Sequence, residues 1–295
     1  MRLVKQAFLF LKKKKQKNFD FSGAVQVKPT TTQITKSFLL LFSKKEALPF
    51  PALLLAMLLP ITAQAAVNLA AVPIGRMDLP WWRARFEHTL AEARADRGAK
   101  LVWLGDSITQ YWLRTGDKPY LQVKPVWDRY YGKYDPLNFG FIGDTTSSVI
   151  WRIDHGEFDG LHPKLVILMI GANNLGATHW GAHLTMPGIE AVVNDLHRHV
   201  PGAKILLLGI LPSIRSAWIS AETTKINREL ALVYAHSRLV TFRNVGSVLE
   251  VDGKPLASLY VDPRMTPPEP ALHPDATGMR RIARAIAPTV TRLMQ

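Results

Sequence analysis

The 295-residue chain contains no cysteine, which excludes a disulfide scaffold, a thiolate zinc site and a cysteine nucleophile. Charged residues make up only 20% of the chain and hydrophobic residues 47%, which is too apolar for a disordered protein. Acids are scarce: 23 Asp and Glu face 37 Lys and Arg, giving a net charge of +14. Residues 1–47 hold 11 of these bases and only two acids. The rest of the chain lacks the basic stripe of a nucleic-acid-binding domain, so we predict no nucleic-acid partner.

The first 65 residues have the order of a secretory signal. A basic stretch ending at Lys44 and Lys45 precedes an apolar run at 49–62, and the small-residue pattern A-Q-A follows at 63–65. The run is too short to span a bilayer comfortably. We expect residues 1–65 to be a leader removed on export and residues 66–295 to form one periplasmic or secreted bacterial domain without a stable membrane span. An uncleaved membrane anchor is the alternative.

Five apolar runs alternate with helical patterns after the leader. The runs lie at 100–104, 136–140, 165–170, 204–211 and 239–242, and the helical patterns at 79–97, 146–154, 187–199, 221–236 and 277–293. Continuous apolar runs are typical of strands covered on both faces, and this alternation predicts a parallel sheet. The predicted fold class is therefore α/β, a flavodoxin-like three-layer α/β/α arrangement with a five-stranded parallel sheet. Periodicity does not give the order of the strands.

Polar clusters follow three of the apolar runs and precede the last helix. They read G-D-S at 105–107, N-F-G-F-I-G-D-T-T at 138–146, G-A-N-N at 171–174 and H-P-D at 273–275. Ligands of such sheets bind beyond the carboxyl ends of the strands, where these clusters are expected. A serine with a histidine base, together with amide donors for an oxyanion, is the machinery of acyl transfer. The backbone amides of Ser107 and Gly143 and the side-chain amide of Asn173 are the candidate donors.

These four clusters resemble those of the SGNH, or GDSL-type, serine hydrolases across essentially the whole chain after the leader. The run L-N-F-G-F-I-G-D-T-T-S-S-V-I-W-R at 137–152 looks most like the intracellular platelet-activating-factor acetylhydrolase catalytic subunits and their bacterial relatives. The resemblance implies Ser107 as nucleophile and His273 as base. It also implies an oxyanion hole formed by Ser107, Gly143 and Asn173, and it supports the five-stranded sheet.

One position departs from the family pattern. The family places an Asp three residues before the catalytic His, and this chain has Pro270 there. Glu269 is one residue further away and has a longer side chain, so it is our candidate acid. Asp262 lies further upstream, and a backbone carbonyl or a water molecule in a Ser–His dyad is a further alternative. Weakened or lost activity is also left open.

Other polar and aromatic residues have structural interpretations. We expect Asp106 and Asp144 to anchor loops, Asn174 to be structural and Asp275 to cap the last helix. No metal site and no cofactor are predicted. His179 and His183 stand four apart, but no Glu follows them in a zinc-hydrolase pattern. Three tryptophans on segments after strand ends are candidates to line a substrate cleft, with packing as the preferred alternative for each, namely Trp112, Trp180 and Trp218.

The sequence therefore predicts an exported serine esterase that hydrolyses small acyl esters. An O-acetyl group on a polysaccharide or another carbohydrate is the preferred substrate. One alternative is a catalytically weakened or inactive envelope protein that binds acylated glycan. A lysophospholipase or thioesterase of the same superfamily is the other, and the oligomeric state is not predicted.

Overall fold

A computed structural model describes residues 67–116 and 122–295, so the leader predicted at 1–65 lies outside the described residues. A five-stranded parallel sheet forms the centre of the described domain, with strands in the order β2-β1-β3-β4-β5. The strands are β1 Leu101–Gly105, β2 Leu137–Gly140, β3 Leu165–Met169, β4 Lys204–Leu208 and β5 Val240–Arg243. The predicted flavodoxin-like α/β/α fold is confirmed. The structure also gives the order of the strands, which the periodicity of the sequence does not predict.

Helices separate the strands along the chain. In the described residues they are α1 Pro80–Ala95, α2 Ser107–Gln110, α3 Lys124–Tyr131, α4 Thr146–Asp154, α5 Ala172–Gly176, α6 Ala182–His199, α7 Ala217–Val233 and α8 Ala276–Met294. A two-residue hairpin, β6 Glu250–Val251 with β7 Lys254–Pro255, follows β5. None of the helices in the described part of the chain has the length and apolar character needed to cross a membrane.

Several helix predictions differ from the structure; α7, for instance, covers Ala217–Val233 where we predicted 221–236. We expected Pro187 in the first turn of a helix, but α6 begins at Ala182 and contains Pro187. The helix begins after Gly181 rather than at the proline, because Leu184 and Thr185 donate their amides to the Gly181 carbonyl. The five residues before Pro187 are therefore helical as well. Helix α3 was not predicted, although its buried residues Val126, Trp127 and Tyr131 lie on one face.

The core is aromatic at one side of the sheet. Trp103 on β1 packs against Trp112, Trp127 and Tyr131, with ring centroids 5.0–5.8 Å apart. Trp112 has no exposed surface. Trp112 therefore packs in the core, the alternative to lining a substrate cleft, because its ring fills the space between β1 and α3.

The order of the strands determines where the loops that carry the candidate site residues meet. The chain leaves β1 in one direction to β2 and later returns to the other side of β1 as β3, so the order reverses at β1. Loops that follow β1, β2 and β3 therefore meet at the carboxyl edge, where doubly wound sheets bind ligands.

Candidate active site

Ser107 is held at the junction of β1 and α2. It is the first residue of α2, and Asp106 caps the helix by accepting the Ile108 amide at 2.9 Å. A side chain at Gly105 would place Cβ 2.2 Å from the Met169 carbonyl oxygen, so only glycine allows β1 to approach β3 this closely. The Ser107 amide is in the first turn, where amides have no acceptor within the helix.

His273 joins Ser107 to a carboxylate. Ser107 Oγ lies 2.9 Å from His273 Nε2, and His273 Nδ1 lies 2.6 Å from Asp262 Oδ1. The Ser107 side chain is nearly buried and 17% of the His273 side chain is exposed, which leaves the pair reachable from solvent. This arrangement can move a proton from Ser107 to His273 while Asp262 fixes the imidazole tautomer.

The acid on His273 is Asp262, and the prediction of Glu269 is corrected. An antiparallel bridge between Tyr260 and Pro274, with the Val261 amide donating to the His273 carbonyl at 2.9 Å, places two extended segments side by side. Asp262 therefore faces His273 although it lies eleven residues upstream. Glu269 is part of the intervening loop, where its amide donates to the Asp262 carbonyl at 3.0 Å.

The environment of Asp262 favours its ionised form. Burial acts to raise the pKa of this carboxyl, but the hydrogen bond and charge of His273 outweigh burial and hold the pKa below its usual value. Its second oxygen accepts the backbone amides of Leu272, at 2.9 Å, and His273, at 2.6 Å. Asp262 thus holds both the ring and the backbone of His273.

Gly143 lies in the loop after β2, which contacts Gln110 at the end of α2. Its φ of +76° is in the left-handed region, which favours glycine. The loop is tied to Ser107's surroundings because Phe141 donates its amide to the Gly105 carbonyl at 3.1 Å and Ile142 donates to Gln110 Oε1 at 2.9 Å. Within the described residues the Gly143 amide has no hydrogen-bond acceptor.

Asn173 approaches the same loop from α5. Its Nδ2 donates one hydrogen to the Asp144 carbonyl at 2.9 Å, and a side-chain amide carries a second hydrogen for a ligand. The neighbouring Asn174 is fully buried and holds Thr146 at the start of α4, as its structural interpretation predicted. The structure thus joins Ser107 to His273 directly, and it joins Asn173 to the Gly143 loop through the Asp144 carbonyl.

A charge cluster of Asp144, Arg152 and Glu157 lies beneath this loop. All three side chains are fully buried. Arg152 Nε donates to Asp144 Oδ2 at 2.9 Å, and Arg152 Nη1 donates to Glu157. Burial raises the pKa of both carboxyls, and Arg152 opposes that rise. Asp144 also accepts a hydrogen bond from Trp82 Nε1 at 2.7 Å and one from Arg76 Nη1 at 3.2 Å. The aspartate expected to anchor the loop therefore accepts hydrogen bonds from three side chains.

One further contact at the site, between Tyr111 and His273, had no signal in the sequence. The Tyr111 ring stacks on the His273 ring with centroids 4.6 Å apart and an interplanar angle of 23°. Asp106 is buried without a cation in direct contact, and burial raises its pKa to about 6, partly opposed by the Ile108 amide. Asp275 caps α8 through the Thr277 and Gly278 amides, as predicted.

A group with metal-ligand chemistry lies elsewhere in the described residues. Atoms of Asp154, Asp195 and His199 come within 4.8 Å of one another. They stand at the carboxyl ends of α4 and α6, which places them away from the sheet edge that carries Ser107. Arg198 pairs with Asp195 and supplies positive charge there.

Comparison with known proteins assigns the family. The sequence profile of the GDSL-like Lipase/Acylhydrolase family matches residues 103–281. The chain is 31% identical over 195 residues to platelet-activating factor acetylhydrolase IB subunit alpha2 of Rattus norvegicus, covering 65% of this chain and 77% of that protein. Its Gallus gallus counterpart is 32% identical over 148 residues, 49% of this chain and 59% of that protein, so the chain spans about three fifths of the chicken protein.

Among solved structures, a GDSL-like lipase from Bacteroides thetaiotaomicron shares the fold with a TM-score of 0.53 and 17% identity, covering 71% of this chain and 98% of that one. The similarity of fold agrees with the match of the family profile, which contains both Ser107 and His273. This chain belongs to the GDSL-like lipase/acylhydrolase family of hydrolases.

Proposed function

We propose that this protein is a serine esterase that cleaves small acyl esters, with O-acetyl esters as its substrates. The observation that carries the proposal is the Ser107–His273–Asp262 chain, with contacts of 2.9 and 2.6 Å. The candidate oxyanion donors Gly143 and Asn173 are linked to each other through the loop after β2. The acetyl group is supported by relatives that are named acetylhydrolases. A carbohydrate as the alcohol part is supported by the expected export and by an exposed aromatic pair after β3 and β4, His179 and Trp218, with centroids 5.8 Å apart.

The reaction proceeds through an acyl-enzyme. His273 Nε2 takes the proton of Ser107 Oγ as that oxygen attacks the ester carbonyl, and Asp262 stabilises the imidazolium. The Ser107 and Gly143 amides and Asn173 Nδ2 bind the oxyanion of the tetrahedral intermediate. His273 then gives its proton to the leaving alcohol. Water, deprotonated by the same nitrogen, attacks the acyl-enzyme and releases the carboxylic acid and free Ser107.

The first experiment measures release of p-nitrophenol from p-nitrophenyl acetate by the protein expressed without residues 1–65 and by S107A. We expect turnover by the former and background turnover by S107A, with fluorophosphonate labelling only where Ser107 is present. S148A is a matched control, because Ser148 is a buried serine of α4. Equal rates for the parent and S107A would overturn the assignment of the nucleophile.

A second set of substrates tests the acyl and alcohol parts. Acetyl, butyryl and octanoyl esters of p-nitrophenol should be cleaved with kcat/KM falling as the chain lengthens. A rise with length favours the lysophospholipase or thioesterase alternative. Acetate release from acetylated xylo-oligosaccharides, lost in S107A, tests the carbohydrate. Glycan binding with no turnover would favour the alternative of an inactive binding protein. That alternative was suggested by the missing Asp at position 270, and the contact of Asp262 with His273 weakens it.

A further inference from the structure

Arg76 contacts the peptide unit that contains the Gly143 amide. Arg76 Nη1 donates to the Ile142 carbonyl oxygen at 3.1 Å, and Ile142 C=O and Gly143 N–H belong to the same peptide bond. The guanidinium also lies against the glycine itself, since a Cβ at position 143 would lie 3.1 Å from Nη1 and 3.3 Å from Nη2. A cation therefore lies at the carbonyl end of the peptide whose amide is the candidate oxyanion donor.

The position of Arg76 is fixed from a second direction. The same Nη1 lies 3.2 Å from Asp144 Oδ1, and Asp144 is anchored by Arg152 and Trp82. The guanidinium thus bridges residues 142 and 144 on either side of Gly143. About a quarter of the Arg76 side chain is exposed, at 26%, whereas Asp144 and Arg152 are fully buried.

The electrostatic consequence follows from the shape of the peptide group. A hydrogen bond donated to a carbonyl draws electron density from the peptide nitrogen and makes its N–H a stronger donor, by about 10–30% per bond. A charged donor polarises the group more than a neutral one. Preorganised donors have their largest effect where charge develops in the transition state.

We propose that Arg76 is a positioning residue for the oxyanion hole: it fixes the Ile142–Gly143 peptide and polarises it toward the developing oxyanion. The inference rests on the proposed function, because it assumes that Gly143 N–H binds that oxyanion. Arg76 acts through this peptide and does not touch the substrate carbonyl. It should therefore lower the barrier to acylation with little effect on ground-state binding.

The test compares R76A with R83A on p-nitrophenyl acetate. Arg83 is an exposed arginine of α1 that donates to the Met77 carbonyl and is the matched control. We expect kcat of R76A to fall about tenfold, less than the roughly 10²–10³ of a lost oxyanion donor, with KM within twofold. R76A should fold, because Asp144 keeps Arg152 and Trp82, and thermal unfolding checks this.

Two readouts separate polarisation from a merely structural role. Affinity for a trifluoromethyl ketone, whose adduct with Ser107 carries an oxyanion, should fall by the same factor as kcat. Millimolar guanidinium should restore part of kcat in R76A and leave R83A unchanged. R76A kcat within twofold of R83A, unchanged ketone affinity, or no rescue by guanidinium would each overturn the inference. Activity that S107A retains would instead overturn the proposed function.

Discussion

Two buried aspartates flank the site, and they differ in what they touch. Asp144 lies under the Gly143 loop and accepts hydrogen bonds from Arg76, Trp82 and Arg152. Asp262 lies across from His273 and accepts from the imidazole and two backbone amides. The pKa of Asp144 is raised by burial, whereas His273 holds the pKa of Asp262 low. Both carboxylates have little exposed surface, but their roles differ: one supports a loop, and the other supports a proton transfer.

The largest expected effect is the loss of kcat when Asp262 is replaced. D262N should lower kcat by on the order of 10⁴, because an amide at Nδ1 favours the wrong tautomer of His273. Thermal unfolding should change little, since the amide oxygen still accepts a backbone amide. Steady-state kinetics on p-nitrophenyl acetate measure the loss. E269Q is the control and should keep its activity; the reverse pattern would make Glu269 the acid.

Breaking the cluster of Asp144, Arg152 and Glu157 should act mainly on the stability of the fold, whereas D262N acts mainly on kcat. R152M leaves Asp144 and Glu157 buried with less compensating charge, and removing one partner of a buried pair costs about 3–5 kcal/mol. We expect the free energy of unfolding in urea to fall by about that amount. K124M, which breaks the exposed Lys124–Asp128 pair at 2.7 Å, should cost no more than ~1 kcal/mol. Equal losses for the two variants would contradict the distinction.

Asp106 extends the comparison to a buried carboxylate without a cation in direct contact. Burial raises its pKa to about 6, so between about pH 4 and 6 the folded state binds more protons than the unfolded state. Its contribution to stability is present below about pH 4 and lost as the pH rises through 6. D106N removes this dependence while keeping an oxygen for the Ile108 amide.

The stability of D106N relative to the parent protein should therefore increase from pH 4 to 7, by up to about 3 kcal/mol. Urea unfolding at a series of pH values measures the difference. A constant difference over this range would show that the Asp106 carboxyl titrates alike in both states.

The strands and most of the candidate site residues could be predicted from the sequence, because they follow from local patterns of apolar and polar residues. The five apolar runs gave the strands to within a few residues, and Ser107, Gly143 and Asn173 follow strands whose carboxyl ends must meet. Asp262 was missed because its position depends on the pairing of two irregular segments, which has no periodicity. Tyr260 and Val261 form an apolar pair directly before Asp262, a weak sign of an extended segment. Arg76 gave no sign, since its partner is a backbone carbonyl 66 residues away.

The smallest expected effect concerns the face of the imidazole. Asp262 holds the edge of His273, while Tyr111 covers its ring at 4.6 Å. Stacked aromatic pairs contribute about 0.5–1.5 kcal/mol, so Y111L should lower kcat about two- to twelvefold by loosening the ring. Y111F keeps the stacking surface and should retain most of the activity. The same kinetic assay compares the two variants, and equal losses in both would assign the effect to the hydroxyl group. If Y111L lost as much activity as D262N, the orientation of His273 would depend on its face as strongly as on its edge.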